Sequence, residues 1–589
     1  MNSPRVSFIH SMKTIKPAFW LANVLEAGER LAYFGIRAIL PLMMVLSPEL
    51  GGLGLDYVQK GLIFGIWALL QCLIPMVSGG FTETFGYKKS LIVAFGINLI
   101  GYTMLANILH LSDAVGSLFG QDLSINRINF VLMLVAGCTV GIGTAIFKPP
   151  VQGVVAKSLN ETNSGIGFGL FYFVVNVGGF LAPMCAGYLR GTSETPTWNY
   201  VFWGAAIVTV INLLVTAILF REPERTKEEI AASKKKSAGE VFVGTLKVLW
   251  NDKYMLIFLL IVSGFWLMFM QLWDLLPNFL DEWVDRRVNF NPDSLMGLTG
   301  HLLDDGAIKP EMVLNINSAT IILLVIPLSA LFARYRMMTA LITGMIISVI
   351  GFVMSGMSSL VIFAAIAIFT FSIGEIICSP KFNEYIGMTA PADKKAIYMG
   401  YSNIPFAIGW FLGNVLSGPL YQLFSSKEVL AKRWLSEQGA ASADLEKLDL
   451  PQTMVMMQEK LTAQTGQAVD VFQANDVLWQ AYNPWIIWIF LGTVGAASMV
   501  GMIAFYFKSG MHKKDSVKTS SSNDAGEISE NADLSEISEE SRGAEDVDSR
   551  KASEDAGSSA NDGDKDAAAE IEPSYDSDDS NSGKTSGEA

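Results

Sequence analysis

The sequence predicts an all-α polytopic membrane protein with 12 transmembrane helices, built as two six-helix bundles and ending in a disordered acidic carboxyl-terminal tail. Three observations carry this prediction. The 589-residue chain is 51% hydrophobic and only 17% charged, with a mean hydropathy of +0.37, too apolar for a soluble protein of that size. Apolar runs of about 20 residues, enough for a helix to cross a hydrocarbon core of about 30 Å, recur twelve times. A polar stretch rich in Lys and Glu, REPERTKEEIAASKKK within 221–253, divides those runs six and six.

Taken in order, residues 1–17 form a cytoplasmic amino terminus, and the first bundle covers 18–220 with spans near 18–46, 57–80, 90–110, 127–150, 164–189 and 200–220. The first run is longer than a signal h-region and should stay in the mature protein. The linker 221–253 follows, too short and polar for a helical pair. The second bundle covers 254–507, with spans near 254–280, 312–332, 337–356, 360–390, 397–423 and 484–507. Connections carrying Lys88, Lys89, Lys157, Arg334, Arg336, Lys394 and Lys395 alternate with connections at 47–56, 111–126 and 357–360 that have no Lys or Arg. Cytoplasmic loops carry the excess of basic residues, so both termini are expected inside, most simply at the cell (plasma or inner) membrane. Two outside loops are long, 281–311 and 424–483, and the second contains EVLAKRWLSEQGAASADLEKL and TMVMMQEKL, which read as short amphipathic helices over the outer mouth.

Net charge is −14 for the whole chain. Residues 511–589 hold 22 acids and 8 bases, which accounts for all of it and leaves 34 of each elsewhere. No nucleic-acid partner is therefore expected. The tail 508–589, dominated by Ser, Asp, Glu, Ala and Gly, cannot bury enough apolar surface to fold alone. The cysteines Cys72, Cys138, Cys185 and Cys378 all fall in spans without ligand or redox spacing and read as packing residues. DGDKD at 562–566 lacks the Gly and Glu an EF-hand loop needs, since Ala567 and Pro573 stand there, so no metal is expected. No Gly-rich phosphate loop or Ser/His/Asp arrangement is present, which argues against an ATP-driven pump and against an enzyme.

Chemistry concentrates in the segment EAGERLAYFGIR, residues 26–37. At 100° per residue, Glu26, Glu29, Arg30, Tyr33 and Arg37 share an arc of about 100° on one helix face. Charged groups at membrane depth cost several kcal/mol unless they pair or line a wet cavity, so this face marks an ion or substrate pathway. With Lys148 and Glu375, the intramembrane charges Glu26, Glu29, Arg30 and Arg37 sum to zero, which allows a closed set of ion pairs. Protonating one carboxylate would free a cation for a substrate carboxylate, a physical basis for proton-driven symport. Read alone, Lys148 beside Pro149 and Pro150 suits a snorkelling helix end, and Asn176 an interhelical packing bond.

Two six-helix halves around a midplane site resemble the major facilitator superfamily, and GGFTETFGYKKS resembles its Gly-rich basic turn. Within it, the first-span stripe resembles the E-x-x-E-R-F-x-Y-Y-G motif of the proton-dependent oligopeptide transporters, with Leu31 for Phe and Phe34 for the second Tyr. GIGTAIFKPPVQG is similar to that family's F-K-P-N segment and FYFVVNVGGF to its F-Y-x-x-I-N-x-G-S signature, while GEIICSPKFNEYIGMTAP resembles G-E-L-x-x-S-P-x-G-L ending in A-P. The resemblance implies proton handling by Glu26, Glu29 and Arg30, and contacts from Arg37 and Lys148 to a peptide carboxyl terminus. It also implies that Glu375 binds the amino group, that Tyr33 and Asn176 add hydrogen bonds, and that Gln271 and Asn317 are further lining residues. It gives a proton as coupling ion and no other cofactor, small peptides as cargo, and the bilayer as surroundings; oligomeric state is not legible, and a monomer suffices. Departures are Met270 where many members have an acid, Cys72 where a Tyr is common, Lys381 after Ser379-Pro380, and Ser318 for the Pro after Asn317. They keep open a second solute on the same fold, an amino-acid derivative or a nitrate-like anion. A third reading, a nutrient-sensing membrane receptor, follows from the Ser-rich acidic run SSSNDAGEISENADLSEISEESR.

Overall fold

The computed structural model describes residues 14–287 and 303–509, apart from 77, 79–81, 83–84, 120–123, 161–162, 193–194, 223–237, 305, 333–334 and 392–393. The acidic tail and the DGDKD segment lie outside the described residues. Among those residues are twelve helices of 17 residues or more. The first half holds α1 (Pro17–Val45), α2 (Tyr57–Leu73), α3 (Tyr87–Ala106), α4 (Ile125–Ser158), α5 (Ser164–Leu189) and α6 (Trp198–Leu219). The second holds α7 (Lys253–Asp274), continued after one residue by the short α8 (Leu276–Trp283), then α9 (Ile316–Phe332), α10 (Met337–Met354), α11 (Val361–Thr389) and α12 (Asn403–Phe424). Three shorter helices follow, α13 (Lys427–Glu437), α14 (Leu450–Thr465) and α15 (Val471–Tyr482), before α16 (Ile486–Lys508) closes the bundle.

Nine of the described helices are long and apolar enough to cross a membrane by length and composition alone. α1 is outside that set because its own charges, Glu26, Glu29, Arg30 and Arg37, lower its hydropathy. Two connections contain helix and one expectation needs correction. The connection at 111–126 is not all loop, because the helix Ile108–Phe119 continues there with an apolar face. Among its described residues the linker 221–253 holds the helix Ala238–Asn251. Lys148 does not end its span; α4 runs on through Pro149 and Pro150 to Ser158, which removes the snorkelling position.

Within the first half, α1 packs on α5 and α6, and α3 on α4 and α6; within the second, α7 packs on α12 and α16, and α10 on α11. The halves meet where α2 packs on α12 and α5 on α9. Absence of side chains sets the first of these contacts. A Cβ on Gly61 would stand 2.4 Å from the Asn414 carbonyl, and one on Gly418 would stand 2.4 Å from the Tyr57 carbonyl. Small residues let backbones touch where lipid supplies no hydrophobic drive.

The loop 424–483 is a small helical cap. Leu430, Ala431, Leu435, Met457, Ala474 and Leu478 are buried in it, and capping boxes at Asp449/Gln452 and Asp470/Gln473 start α14 and α15 by satisfying their first free N–H groups. Trp479 of the cap packs at a steep ring angle on Phe279 and edge-on to Trp283 of α8, and the Ser47 hydroxyl reaches Asp449 at 3.4 Å. Between cap and bundle lies a cavity of about 530 Å³ lined by both halves, including Glu49, Asp56, Arg190, Glu282 and Lys432.

Candidate functional site

On α1 the predicted stripe is buried and paired. Arg30 Nε stands 3.0 Å from Glu26 Oε1 and its second terminal nitrogen 2.5 Å from Glu29 Oε2, with all three residues no more than 6% exposed. Two carboxylates on one guanidinium leave an excess negative charge, and Lys148 of α4 lies within electrostatic range of all three groups. Among the described residues no carboxylate approaches Lys148 within ion-pair distance. Tyr33 donates its hydroxyl to Gln71 Oε1 at 2.8 Å.

Arg37 does not wait for a substrate. Its guanidinium pairs with Asp274 at the end of α7, across the two halves, and stacks 4.1 Å from the ring centre of Phe64. Asp274 is fully buried; its other oxygen accepts from Trp410 Nε1 at 2.5 Å and Asn414 Nδ2 at 2.8 Å. Sequence reasoning missed this acid. Met270 marks the empty position, and Asp274 stands one turn further on the same face, a signal readable in LMFMQLWDLL. Lys60 of α2 was missed too: its ammonium donates to the Asp274 carbonyl at 2.8 Å and to Asn278 Oδ1 at 2.6 Å. The closed set of six charges is therefore wrong in membership; adding Lys60 and Asp274 keeps the sum at zero, four against four.

Two further links join the halves at the end predicted to face outside. Arg190, at the end of α5, pairs with Glu311 at 2.5 Å, while Lys309 donates to the Gly187 and Gly191 carbonyls at 2.6 and 2.9 Å. Glu282 of α8 accepts from the Tyr57 hydroxyl of the first half, from the Tyr421 hydroxyl at 3.1 Å, and from the backbone N–H of Lys427 at 3.1 Å. Burial pushes the Glu282 carboxyl up to about 7, and burial brings the neighbouring Lys427 down to about 8. These contacts fasten the two halves at the end that carries the cap.

In the second half Asn317 joins Glu375, a contact the sequence did not indicate: its amide donates to Glu375 Oε2 at 2.8 Å and to Ser372 Oγ at 3.0 Å. No described cation pairs with Glu375; Tyr172 of α5 faces it from the other half. The Asn176 amide donates to the Tyr172 carbonyl of its own helix at 2.8 Å. Gln271 is fully buried and accepts from Ser417 at 2.8 Å, so it sits in the α7–α12 packing. The Lys381 charge is met by Glu384 at 2.8 Å. Cys72 and Cys378 are buried, Cys138 is half-buried and Cys185 exposed, all as free thiols. Among the described residues no group of three His, Cys, Asp or Glu side chains could hold a metal ion.

This geometry defines a class: a helical membrane protein of two six-helix halves, with a buried ion cluster in one half, an isolated carboxylate in the other, and ion pairs fastening them at one end. The family model of the Major Facilitator Superfamily matches residues 29–414. The chain belongs to that superfamily. It is 32% identical over 200 residues to "Peptide transporter YePEPT" of Yersinia enterocolitica, covering 33% of this chain and 34% of the relative. It is 27% identical over 196 residues to "Uncharacterized transporter YclF" of Bacillus subtilis, covering 33% and 35%. The matched segment thus spans about a third of these relatives. Solved structures agree over more of the chain. A POT family transporter in complex with 5-aminolevulinic acid superposes with a TM-score of 0.56 at 16% identity, over 86% of this chain and 98% of that one. The nucleoside transporter NupG gives 0.56 at 11% identity, over 83% and 100%. Equal scores for different cargoes mean that this likeness defines the fold alone.

Proposed function

We propose that the protein is a proton-coupled symporter that imports di- and tripeptides by alternating access. The observation that carries this reading is that each half holds one charged side chain inside a long helix, Lys148 in the first and Glu375 in the second, for which no ion pair exists among the described residues. A zwitterion with a carboxylate at one end and an ammonium at the other would satisfy both and draw the halves together. Removing a cation and an anion from water is unfavourable unless each finds a partner, so the two charges favour a cargo that carries one of each sign. Tyr33 and Asn176 would supply hydrogen bonds beside them, and Asn317 would aim Glu375.

Glu26, Glu29 and Arg30 are the proton device in this reading. With one carboxylate protonated, Arg30 needs only one partner, and Lys148 loses an attraction and turns to the substrate carboxylate. The proton and the cargo each favour the state that the other binds, which is reciprocal coupling. One charge crossing 100 mV supplies about 2.3 kcal/mol.

The similarity to a peptide transporter in sequence supports the cargo class, and the solved POT structures support the fold on which it rests. Glu375→Ala is expected to lower dipeptide uptake at least a hundredfold in proteoliposomes while the protein stays folded; uptake within twofold of the parent would refute the role of Glu375. A second reading is another small zwitterion of the amino-acid-derivative kind, such as the 5-aminolevulinic acid held by one structural neighbour, which carries the same two charges as a peptide. Competition of that compound against labelled dipeptide separates the two. A nitrate-like anion fits less well, because Glu375 would repel it.

A further inference from the structure

Lys60 is only 1% exposed, four residues into α2, among groups that seldom bury an ammonium. Both of its hydrogen bonds cross to the other half. Nζ reaches the Asp274 carbonyl, the last of α7, at 2.8 Å, and Asn278 Oδ1 at 2.6 Å on α8. Asn278 in turn donates from Nδ2 to the Pro41 carbonyl of α1 at 2.7 Å. The Tyr57 ring centre lies 5.0 Å from Nζ. One ammonium and one carboxamide thereby tie α1 and α2 to the junction between α7 and α8, where Leu275 separates the two helices and Pro277 has no N–H to give.

The charges around Nζ are Arg37 on α1, Asp274 on α7 and Glu282 on α8, while α12 presents only the neutral Trp410 and Asn414. None of these carboxylates touches Lys60; its direct acceptors are neutral oxygens. The Arg37–Asp274 pair is complete without it. A second cation at this depth is therefore not needed to balance the pair, and its bonds exist only while the outer end is shut, because donor and acceptors belong to opposite halves.

We propose that Lys60 is a positioning residue of the outer gate, a cross-half strut that fixes the α7–α8 junction against α2 and sets how often the gate opens. This rests on the alternating-access reading. A buried ammonium that loses both acceptors when the halves part must be rehydrated, so the strut weights the closed state without touching cargo. An element that both conformations share contributes nothing to their balance; one bonded in a single conformation shifts the populations by its full differential energy.

The test is a spin-label distance measurement across the outer end, between Leu118→Cys in the first half and Met357→Cys in the second. Both sites are exposed, and the four native cysteines are replaced by alanine. In the parent, the short separation dominates. Lys60→Met is expected to raise the ratio of long to short separations at least tenfold, and Lys60→Arg to restore most of the short population, since a guanidinium can still reach the two oxygens. Should Lys60→Met fail to fold, Asn278→Ala removes one acceptor and the tie to Pro41 and is expected to shift the ratio the same way. Distance distributions unchanged in both Lys60→Met and Asn278→Ala would overturn the proposal. The measurement needs no substrate, so a failure of the peptide assignment leaves its outcome readable, and a failure here leaves peptide uptake untouched.

Discussion

At the scale of single residues, the account turns on where carboxylates find their partners. Glu29 and Glu26 share Arg30, Asp274 has three donors, and Glu375 has one amide. Glu282, outside the spans, gives a prediction in pH. Its folded-state carboxyl titrates near 7, above the ordinary 4.5, so the folded state binds the proton more tightly than the unfolded chain. Stability from this group is full below about pH 4.5 and is lost as pH rises through 7. Thermal stability of the detergent-purified protein should therefore fall between pH 5 and 7.5, and Glu282→Gln should flatten that part of the curve. An identical slope in the variant would show that Glu282 is not the group responsible. The sequence made Glu26, Glu29, Arg30 and Arg37 legible because a charge in an apolar run is conspicuous at one helix face. It hid Asp274 and Lys60 because both stand near span ends, where a charge usually reaches interfacial water, and only the approach of the opposite half buries them.

Helices carry the next level of the argument. Period and length placed eight of the twelve long helices within four residues at both ends, since a membrane leaves backbone groups no partner but the helix itself. Boundaries failed where composition and geometry part company. α4 continues through Pro149 and Pro150, with Pro150 buried, to Ser158, and a separate helix, Ile108–Phe119, follows α3 after one residue. The glycine contact between α2 and α12 was invisible, since a glycine in an apolar run says nothing about which helix it meets. Gly418→Leu should drive a side chain into the Tyr57 carbonyl, 2.4 Å from where its Cβ would sit. Overpacking of this kind costs about 1–3 kcal/mol; a lowered midpoint of thermal inactivation is expected, and an unchanged midpoint would show that α2 and α12 have room to separate.

For the whole molecule, the halves are fastened at one end by Arg37–Asp274, Arg190–Glu311 and Tyr57–Glu282, with the cap α13–α15 over them. Fold class and halves were readable from apolar period and basic loops; the fastened state was not, because it depends on pairs between residues more than 100 positions apart. Cargo is a property of the site and not of the fold, as the equal likeness to a nucleoside transporter and to POT structures makes plain. The central claim is that a proton gradient drives a zwitterionic peptide through this site. Uptake of a labelled dipeptide into proteoliposomes tests it most directly, with and without an inward proton gradient, for the parent and for Glu29→Gln. The account predicts accumulation that requires the gradient and falls at least tenfold in the variant, while exchange of internal for external dipeptide persists. Folded protein that accumulates no dipeptide under a gradient, or accumulation equal in the parent and in Glu29→Gln, would contradict it.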